Sequence, residues 1–428
     1  MIPEIEFKTL QEQKAFQETK LVELLTYLQE NSKFYKNQFN EHNIVVSDIK
    51  SLEDLASLPV TTKDDIFNSN EDFICVSKDK IIDYVTTSGT LGDPVIFPLT
   101  NKDLDRLAYN EYISFLCADG SKEDIYQLMT TLDKRFMAGL AYFMGIRKLG
   151  AGVIRVGAGN VEMQWDTINR LNPNAVVVVP SFLLKMIEYA EKNNIDYRST
   201  SIKKAICIGE ALRNQDFTES TLAQKIREKW DIKLYSTYAS TEMSTAFAEC
   251  TEGHGGHHHP ELVIVEFLDN NNQPVNEGEV GEVAITTLGV EGMPLLRFKT
   301  GDVCKHYSEP CACGRQSIRL GPILGRKKQM LKLKGTTLFP PAIFDVLTNV
   351  ENIENYYVEA STNAIGTDEI TVYIGCKKTY PKLEKEIKDH FRAKLRVTPK
   401  IVFKDPKEIE IQKNPPLSRK PILFEDLR

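Results

Sequence analysis

The run "AVVVVPSFLLKMIEYAEKNNIDYRSTSIKKAICIG", residues 175–209, decides the fold class. It opens on an unbroken apolar stretch, "AVVVVP" (175–180). β-Branched side chains suit a pleated strand, and a strand that does not alternate with polar residues is covered on both faces. Pro180 ends it, and "SFLLKMIEYAEKN" (181–193) takes up a helical pattern for which Ser181 is the expected N-cap. "KKAICIG" (203–209) is a strand again. Strand, helix and strand in close succession predict a crossover unit and a largely parallel sheet. The same rhythm extends outward. "GVIRVG" (152–157) reads as a strand upstream; downstream, "TLAQKIREKW" (221–230) reads as a helix running into the strand "IKLYS" (232–236). Residues 8–38 repeat Leu21, Leu24, Leu25 and Leu28 at three- and four-residue steps and read as helical. After Cys250 the texture changes. "ELVIVEFLD" (261–269) and "GEVAITTL" (281–288), joined by the turn-rich "NNNQPVNEGEVG" (270–281), predict an antiparallel hairpin. "EITVYIGCK" (369–377), "PKLEKEIKDHFRAKL" (381–395) and "KIVFK" (400–404) predict a strand, an amphipathic helix and a strand. The expected architecture is therefore α/β. A large N-terminal domain, 1–327, has mixed and parallel sheets, a small α+β domain covers 328–428, and the join falls near "LGRKKQM" (324–330).

At 428 residues and 42% hydrophobic composition the chain is long enough for two domains with a substantial core. Its net charge of -7 offers no broad basic surface, so nucleic acid is not an expected partner. The N-terminus, "MIPEIEFKTLQEQK", lacks the basic-then-apolar order of a signal peptide. The most apolar stretch, 174–190, is interrupted by Pro180 and Lys185 and is too short to span a bilayer. The expectation is a soluble, cytoplasmic protein without a membrane partner. Its eight cysteines need not be disulfides in such a compartment.

Five short stretches carry chemistry. "TTSGTLGDP" (86–94) places Thr87, Ser88, Gly89, Thr90 and Gly92 together. Glycines let a backbone approach a phosphate, and hydroxyls donate beside the N–H groups. It is not a Walker loop, since no Gly-Lys-Ser/Thr follows. "LYSTYASTEM" (234–243) follows a strand. In it Tyr238 can lie against a purine, and Glu242 can hold a Mg²⁺ that bridges phosphate oxygens. Asp302 in "LRFKTGDVC" (296–304) suits vicinal ribose hydroxyls. "LGRKKQMLKLKGTTLFP" (324–340) is a basic segment at the predicted join, and Lys420 stands in "PPLSRKPILFEDLR" near the C-terminus. Taken singly each is weak: the 86–94 loop reads equally well as a solvent turn, and the other four read first as a strand end, a turn or a solvated charge. A further pair, "ECTEGHGGHHHPE" (249–261) and "CACGR" (311–315), has metal-ligand character. Cys311 and Cys313 supply two thiolates from one turn. A third cysteine and one of His254, His257, His258 or His259 would complete a tetrahedral Cys₃His zinc site.

In this order and spacing the stretches resemble the motif series of the adenylate-forming acyl-CoA synthetases. The phenylacetate–CoA ligase branch is indicated by "NSKFYKNQF" (31–39), "LEDLASLPVTTKDDI" (52–66), "CACGR", "GTTLFP" (335–340) and the closing run from Lys420. The resemblance covers nearly the whole chain. It implies a ligase that uses ATP, Mg²⁺ and CoA. A carboxylic acid and ATP give an acyl-adenylate and pyrophosphate, and the CoA thiol then displaces AMP. It also implies an aromatic or small hydrophobic acid. By the same resemblance Lys420, Glu242 and Thr241 are catalytic, and Lys420 is carried by a small domain that turns between the two steps. The 86–94 loop holds the β- and γ-phosphates. Gly209, Glu210, Ala211, Tyr238, Ala239 and Ser240 border the adenosine, and Asp302 takes the ribose with Arg326. Lys328 marks the hinge, and Lys334 with Gly335 lines the pantetheine path. Phe136, Met137, Ala138 and Tyr235 are the acid-pocket candidates. The family pairs a Cys with a His seven residues later, which maps to Cys250 and His257. These two with Cys311 and Cys313 are the expected structural zinc ligands. The chain departs from the pattern in the loop, where Leu91 replaces a threonine and Asp93 stands where a lysine is common, and at Ala239, which replaces a glycine. Two alternatives stand beside the CoA ligase: an adenylating enzyme that serves a carrier protein or an amine, and a non-catalytic nucleotide- or zinc-binding relative. A homodimer is left open.

Overall fold

The computed structural model describes residues 4–87, 95–333, 336–363, 367–376, 382–415 and 421–428. It separates into two compact units: Met1–Thr300 with Cys304–Ile323, and Gly301–Val303 with Leu324–Arg428.

The first unit opens with α1 (Leu10–Asn31), started by a capping box between Thr9 and Glu12. The stretch 8–38 is helical as expected, and it is divided at Ser32. Ser32 adopts extended backbone and its hydroxyl accepts from the Tyr35 N–H, capping α2 (Lys33–Glu41). A cap residue inside a continuous apolar pattern is invisible to periodicity, because the buried face runs on through it. A short α3 (Lys63–Ser69) and the antiparallel hairpin β1 (Asp83–Thr86) and β2 (Ile96–Leu99) follow. Next come α4 (Asn101–Cys117), β3 (Ile125–Leu128), α5 (Met137–Leu149), β4 (Gly152–Arg155), α6 (Val161–Leu171) and β5 (Ala175–Val178). After these come α7 (Pro180–Lys192), β6 (Lys204–Ile208), α8 (Thr221–Lys229), β7 (Lys233–Ser240), β8 (Thr245–Glu249) and β9 (Gly256–His257). β4, β3, β5, β6 and β7 lie side by side and parallel, in that order. β8 then turns back antiparallel on β7.

β5 is the valine run, and all four of its residues are buried. Helices cover it, as an unalternating parallel strand requires. α7 contributes Leu183, Met186, Ile187 and Ala190 to this core, each fully buried. Burial of each large side chain is worth roughly 1.5–3 kcal/mol. Ser181 is not the cap expected of it. α7 begins at Pro180, whose missing N–H is no loss in a first turn, and Val179 stands at the cap position. The Glu210 carboxylate, from the loop after β6, accepts from the Ser181 N–H and hydroxyl instead, both at 2.8 Å.

Beyond the parallel sheet, β10 (Val263–Leu268) and β11 (Gly281–Thr287) pair antiparallel, as expected. They lead to β12 (Phe298–Cys304), β13 (His306–Tyr307) and β14 (Arg319–Leu320).

In the second unit the middle of β12 meets β15 (Gly325–Arg326), and β16 (Leu331–Leu333) pairs with β17 (Thr336–Leu338). Then come α9 (Pro340–Thr348), β18 (Ile353–Thr362), β19 (Asp368–Cys376), α10 (Leu383–Leu395), β20 (Lys400–Lys404), α11 (Pro406–Lys413) and β21 (Phe424–Asp426). Its sheet runs β20-β19-β18-β21. Ile343, Val358, Val372, Ile374, Ile387 and Phe391 fill its core. Among the described residues no helix is long and apolar enough to cross a membrane.

Candidate active site and thiolate cluster

Ligands of open α/β sheets bind outside the carboxyl ends of the parallel strands. At the end of β6 the chain turns through Gly209, whose φ of 79° suits a residue without a Cβ. Glu210 follows. Its carboxylate is committed to Ser181, so it is the backbone of this turn that is presented at the strand end. The Ala211 carbonyl accepts from the Ser220 hydroxyl. At the end of β7, Tyr238 is half-buried and lies opposite Phe247 of β8, with ring centroids 5.9 Å apart. Ala239 is exposed, and Ser240 closes the strand. The turn Thr241–Ser244 then reverses the chain. The Ser240 hydroxyl accepts from the Met243 N–H at 3.3 Å, and the Ser244 N–H donates to the Thr241 carbonyl at 3.2 Å. Met243 is buried beneath the turn, while Thr241 and Glu242 stay partly open to solvent. A carboxylate and a hydroxyl are thus held on a short, wound turn at the carboxyl end of β7.

Thr87, at the neck of the 86–94 stretch, is buried, and its hydroxyl accepts from the Val95 N–H at 3.1 Å. It closes the base of the loop. Ser88, Gly89, Thr90 and Gly92 lie outside the described residues, as do Lys334, Gly335 and Lys420. The Thr86 N–H donates to the Arg135 carbonyl at 3.0 Å, which ties the loop's entry to the turn before α5. Phe136 stands just ahead of α5, and Met137 belongs to one apolar cluster with Met243, Phe247 and the half-buried Tyr238. Ala138 is half-buried and packs against the cluster of Phe115, Tyr126, Tyr142 and Ile206. Tyr235 belongs to the cluster against which Ala138 packs. It is buried among Phe115, Tyr126, Tyr142 and Ile206, and its hydroxyl donates to Asp119, just ahead of β3 and so at the amino end of the sheet.

In the second unit Asp302 and Arg326 face each other in register on β12 and β15, with Nε and Oδ1 3.7 Å apart. Lys328 sits in the short turn Lys327–Gln329, and its carbonyl accepts from Arg428 at 3.2 Å.

The thiolate cluster stands at the opposite end of the β7–β8 hairpin from Glu242. Cys250 directly follows β8, and β9 brings His257 into register with Ala248. The turn Cys311–Arg315, with Gly314 at φ 93°, supplies Cys311 and Cys313. Ligand atoms of Cys250, His257, Cys311 and Cys313 all lie within 4.8 Å of one another. Cys250 Sγ is 3.7 Å from Cys311 Sγ, and His257 Nε2 is 3.3 Å from Cys250 Sγ and 3.5 Å from Cys313 Sγ. Bonds of about 2.3 Å to sulfur and 2.0 Å to nitrogen in a tetrahedron require edges of about 3.5–3.8 Å, so the donor set fits zinc. The other histidines are otherwise engaged. His258 hydrogen-bonds the Val263 carbonyl, His259 lies between the Glu6 carboxylate and the Ser114 hydroxyl, and His254 packs on Phe217. Burial raises the Cys250 and Cys311 thiols. It would raise Cys313 too, but hydrogen bonds from His257 and Arg315 outweigh it and bring that thiol down to about 5. Sequence reading missed the buried support behind this turn. Arg315 donates to Cys313 Sγ at 3.6 Å and to Glu6 at 2.7 Å.

The model of the AMP-binding enzyme family matches residues 11–291, and that of the AMP-binding enzyme C-terminal domain matches 335–415. The chain belongs to the AMP-binding enzyme family. It is 29% identical over 361 residues to the phenylacetate–coenzyme A ligase of Thermus thermophilus, covering 83% of this chain and 79% of the relative. It is 27% identical over 425 residues to the phenylacetate–coenzyme A ligase of Aromatoleum evansii, covering 95% of this chain and 93% of the relative. In fold it is similar to a crystal structure of a 2-hydroxyisobutyryl-CoA ligase in the postadenylation state in complex with R3-HIB-AMP. The TM-score is 0.86 at 22% identity, over 100% of this chain and 92% of that one. Two features of this AMP-binding enzyme fall outside both matched segments: the Cys311–Arg315 turn lies between them, and Lys420 lies beyond the second.

Proposed function

We propose that the protein is an ATP-dependent, AMP-forming ligase that joins an aromatic or small hydrophobic carboxylic acid to CoA. What carries this reading is that both family segments and the phenylacetate–coenzyme A ligase relatives run along most of the chain, while Thr241 and Glu242 stand on a turn at the carboxyl end of β7. In the first step a carboxylate oxygen forms a bond to the α-phosphorus of ATP, and the bond to pyrophosphate breaks. In the second, the CoA sulfur bonds to the acyl carbon, the thiol proton leaves, and AMP departs. Both reactants of the first step are anionic, so the site's task is to neutralise charge and hold the two in line. Glu242 is the residue that would hold Mg²⁺, which when bound supplies Lewis-acid neutralisation of the phosphates. Lys420 supplies the second cation, between carboxylate and α-phosphate. Tyr238 offers a ring face to adenine, Asp302 accepts from the ribose hydroxyls, and Arg326 fixes the Asp302 carboxylate. Met137, Ala138 and Phe136 at the start of α5 offer apolar contact to the acid.

Cys250, His257, Cys311 and Cys313 would hold a zinc ion. With four protein ligands it would have no open position, so its contribution is to cross-link the end of β8 to the 311–315 turn.

ATP–pyrophosphate exchange with Mg²⁺ against a panel of aryl and alkyl acids tests the reading. Exchange with one acid class, converted to net thioester when CoA is added, is the expected result. Exchange that continues unchanged with CoA and yields product only with a carrier thiol or an amine replaces CoA as acceptor. ATP binding without exchange for any acid overturns the catalytic reading.

A further inference from the structure

β8 is the return strand of the hairpin that carries Thr241 and Glu242. Among the described residues β9 pairs with Ala248 and Glu249 alone, which leaves the outer edge of Ser244–Phe247 without a strand partner. Backbone polar groups buried on such an edge need other partners. α4 supplies them. Asp103, Arg106, Asn110, Ser114 and Cys117 recur at three- and four-residue steps, so they share one face of that helix. All five are buried. Asn110 Oδ1 accepts from the Ala246 N–H on this edge at 3.0 Å, and beyond it, where β9 already pairs, Cys117 Sγ donates to the Ala248 carbonyl at 3.3 Å. Arg106 reaches the turn itself. Its Nη1 donates to the Ser244 carbonyl at 2.5 Å, and its Nη2 donates to Thr245 Oγ1 at 3.1 Å and to the Leu262 carbonyl at 2.5 Å. Its Nε donates to the Leu288 carbonyl at 2.6 Å.

These four acceptors are neutral oxygens on three separate segments. A rigid fork suits that task, where the point charge of a lysine would reach fewer of them. Ser244 has a φ of 48°, a left-handed conformation that a non-glycine residue keeps when its surroundings hold it. The Arg106 bond to its carbonyl is such a hold, two residues from Glu242.

We infer that Arg106 is a positioning residue: by clamping Ser244 and Thr245 it fixes the turn that aims Glu242 at the metal–nucleotide site. The inference rests on the reading of Glu242 as the Mg²⁺ carboxylate. Arg106 touches no reacting atom, and it acts through the backbone of the turn.

The test compares Arg106→Lys, Thr245→Val, Asp103→Asn and Glu242→Gln with the unaltered protein. Mn²⁺ binding in the presence of α,β-methylene ATP, followed by electron paramagnetic resonance, reads the site without turnover. The Mg²⁺ dependence of pyrophosphate exchange reads it in turnover, and thermal melting reads the fold. Arg106→Lys is expected to weaken Mn²⁺ binding about tenfold and to lower kcat for exchange roughly 10–100-fold, with the KM for the acid little changed. Thr245→Val keeps the guanidinium and three of its acceptors, and is expected to weaken Mn²⁺ binding by a factor of about two to five. It keeps the inference testable if Arg106→Lys does not fold. Asp103→Asn alters the same helix face where it holds the Glu291 and Gly292 N–H groups, and is expected to lower the melting temperature without changing Mn²⁺ affinity. If Glu242→Gln weakens Mn²⁺ binding but Arg106→Lys and Thr245→Val do not, the positioning role is wrong and the reading of Glu242 stands. If Glu242→Gln leaves Mn²⁺ binding unchanged, the reading of Glu242 fails and the inference falls with it.

Discussion

Glu111 sits where α4 meets α5, and burial pushes its carboxyl up to about 8, against the pull of the Asn110 amide. Its ordinary value is 4.5, so between the two values the folded chain binds more protons than the unfolded one. The contribution is therefore fully present below about pH 4.5 and is lost as pH rises towards about 8, at up to about 1.4 kcal/mol per pH unit. Glu111→Gln should flatten this slope. Urea denaturation at about pH 5.5 and about pH 8 checks it, and a variant that keeps the full slope would assign the dependence to another group. Cys313→Ser is the second prediction at this scale. It removes the thiolate that His257 and Arg315 favour, and should leave purified protein with less than half the zinc of the wild type, losing the rest to a chelator at least tenfold faster. Equal zinc content in the two proteins would contradict the four-ligand site. How much of this was legible depended on the residue. Cys250 and His257 carried a spacing, and Cys311 and Cys313 a motif. The depth of Tyr235 was not legible, because an aromatic in a motif strand looks the same whether it lies at the strand's start or its end. Arg106 gave no signal at all: among the charged residues of an amphipathic helix, an arginine buried against carbonyls reads like one in solvent.

Elements were more legible than residues wherever composition allowed one reading. The valine run of β5 had no other reading, and "KIVFK" is β20 residue for residue. Boundaries were set by contacts that lie far off in sequence. Ser32 splits α1 from α2 by a cap, and Glu210, well after α7 in the chain, takes the role expected of Ser181. The crossing of α4 and α5 was equally hidden. A Cβ placed on Gly145 would lie 2.2 Å from Glu111 Cβ and 3.0 Å from the Tyr112 nitrogen, so the two helices approach as closely as a glycine permits. Gly145→Ala should cost about 1–3 kcal/mol by forcing them apart, even though alanine is the better helix former. Because α5 begins at Met137, in the same apolar cluster as Met243 and Tyr238, the same change should raise the KM for the acid more than that for ATP. A melting temperature at or above that of the wild type would show that the crossing has slack.

For the whole molecule, the order of motifs said more than any motif alone. Each stretch was an ordinary turn or strand end by itself, while the series along the chain pointed to one family. Turns made of backbone and hydroxyls leave little trace in composition, so only their order betrays them. Glu242 belongs to the first unit, and Lys420 falls within the span of the second, Leu324–Arg428. If the two residues serve the first step together, Lys420→Ala should lower pyrophosphate exchange at least about 100-fold. It should still form thioester from a preformed acyl-adenylate and CoA, and loss of both activities together would assign Lys420 a structural role. In the proposed first step a carboxylate oxygen attacks the α-phosphorus. The most direct measurement supplies the acid with ¹⁸O in its carboxylate and reads the nucleotide product by mass spectrometry after one round of ligation to CoA. AMP carrying one ¹⁸O atom is the expected product; ADP accompanied by ¹⁸O-labelled inorganic phosphate would contradict attack at the α-phosphorus.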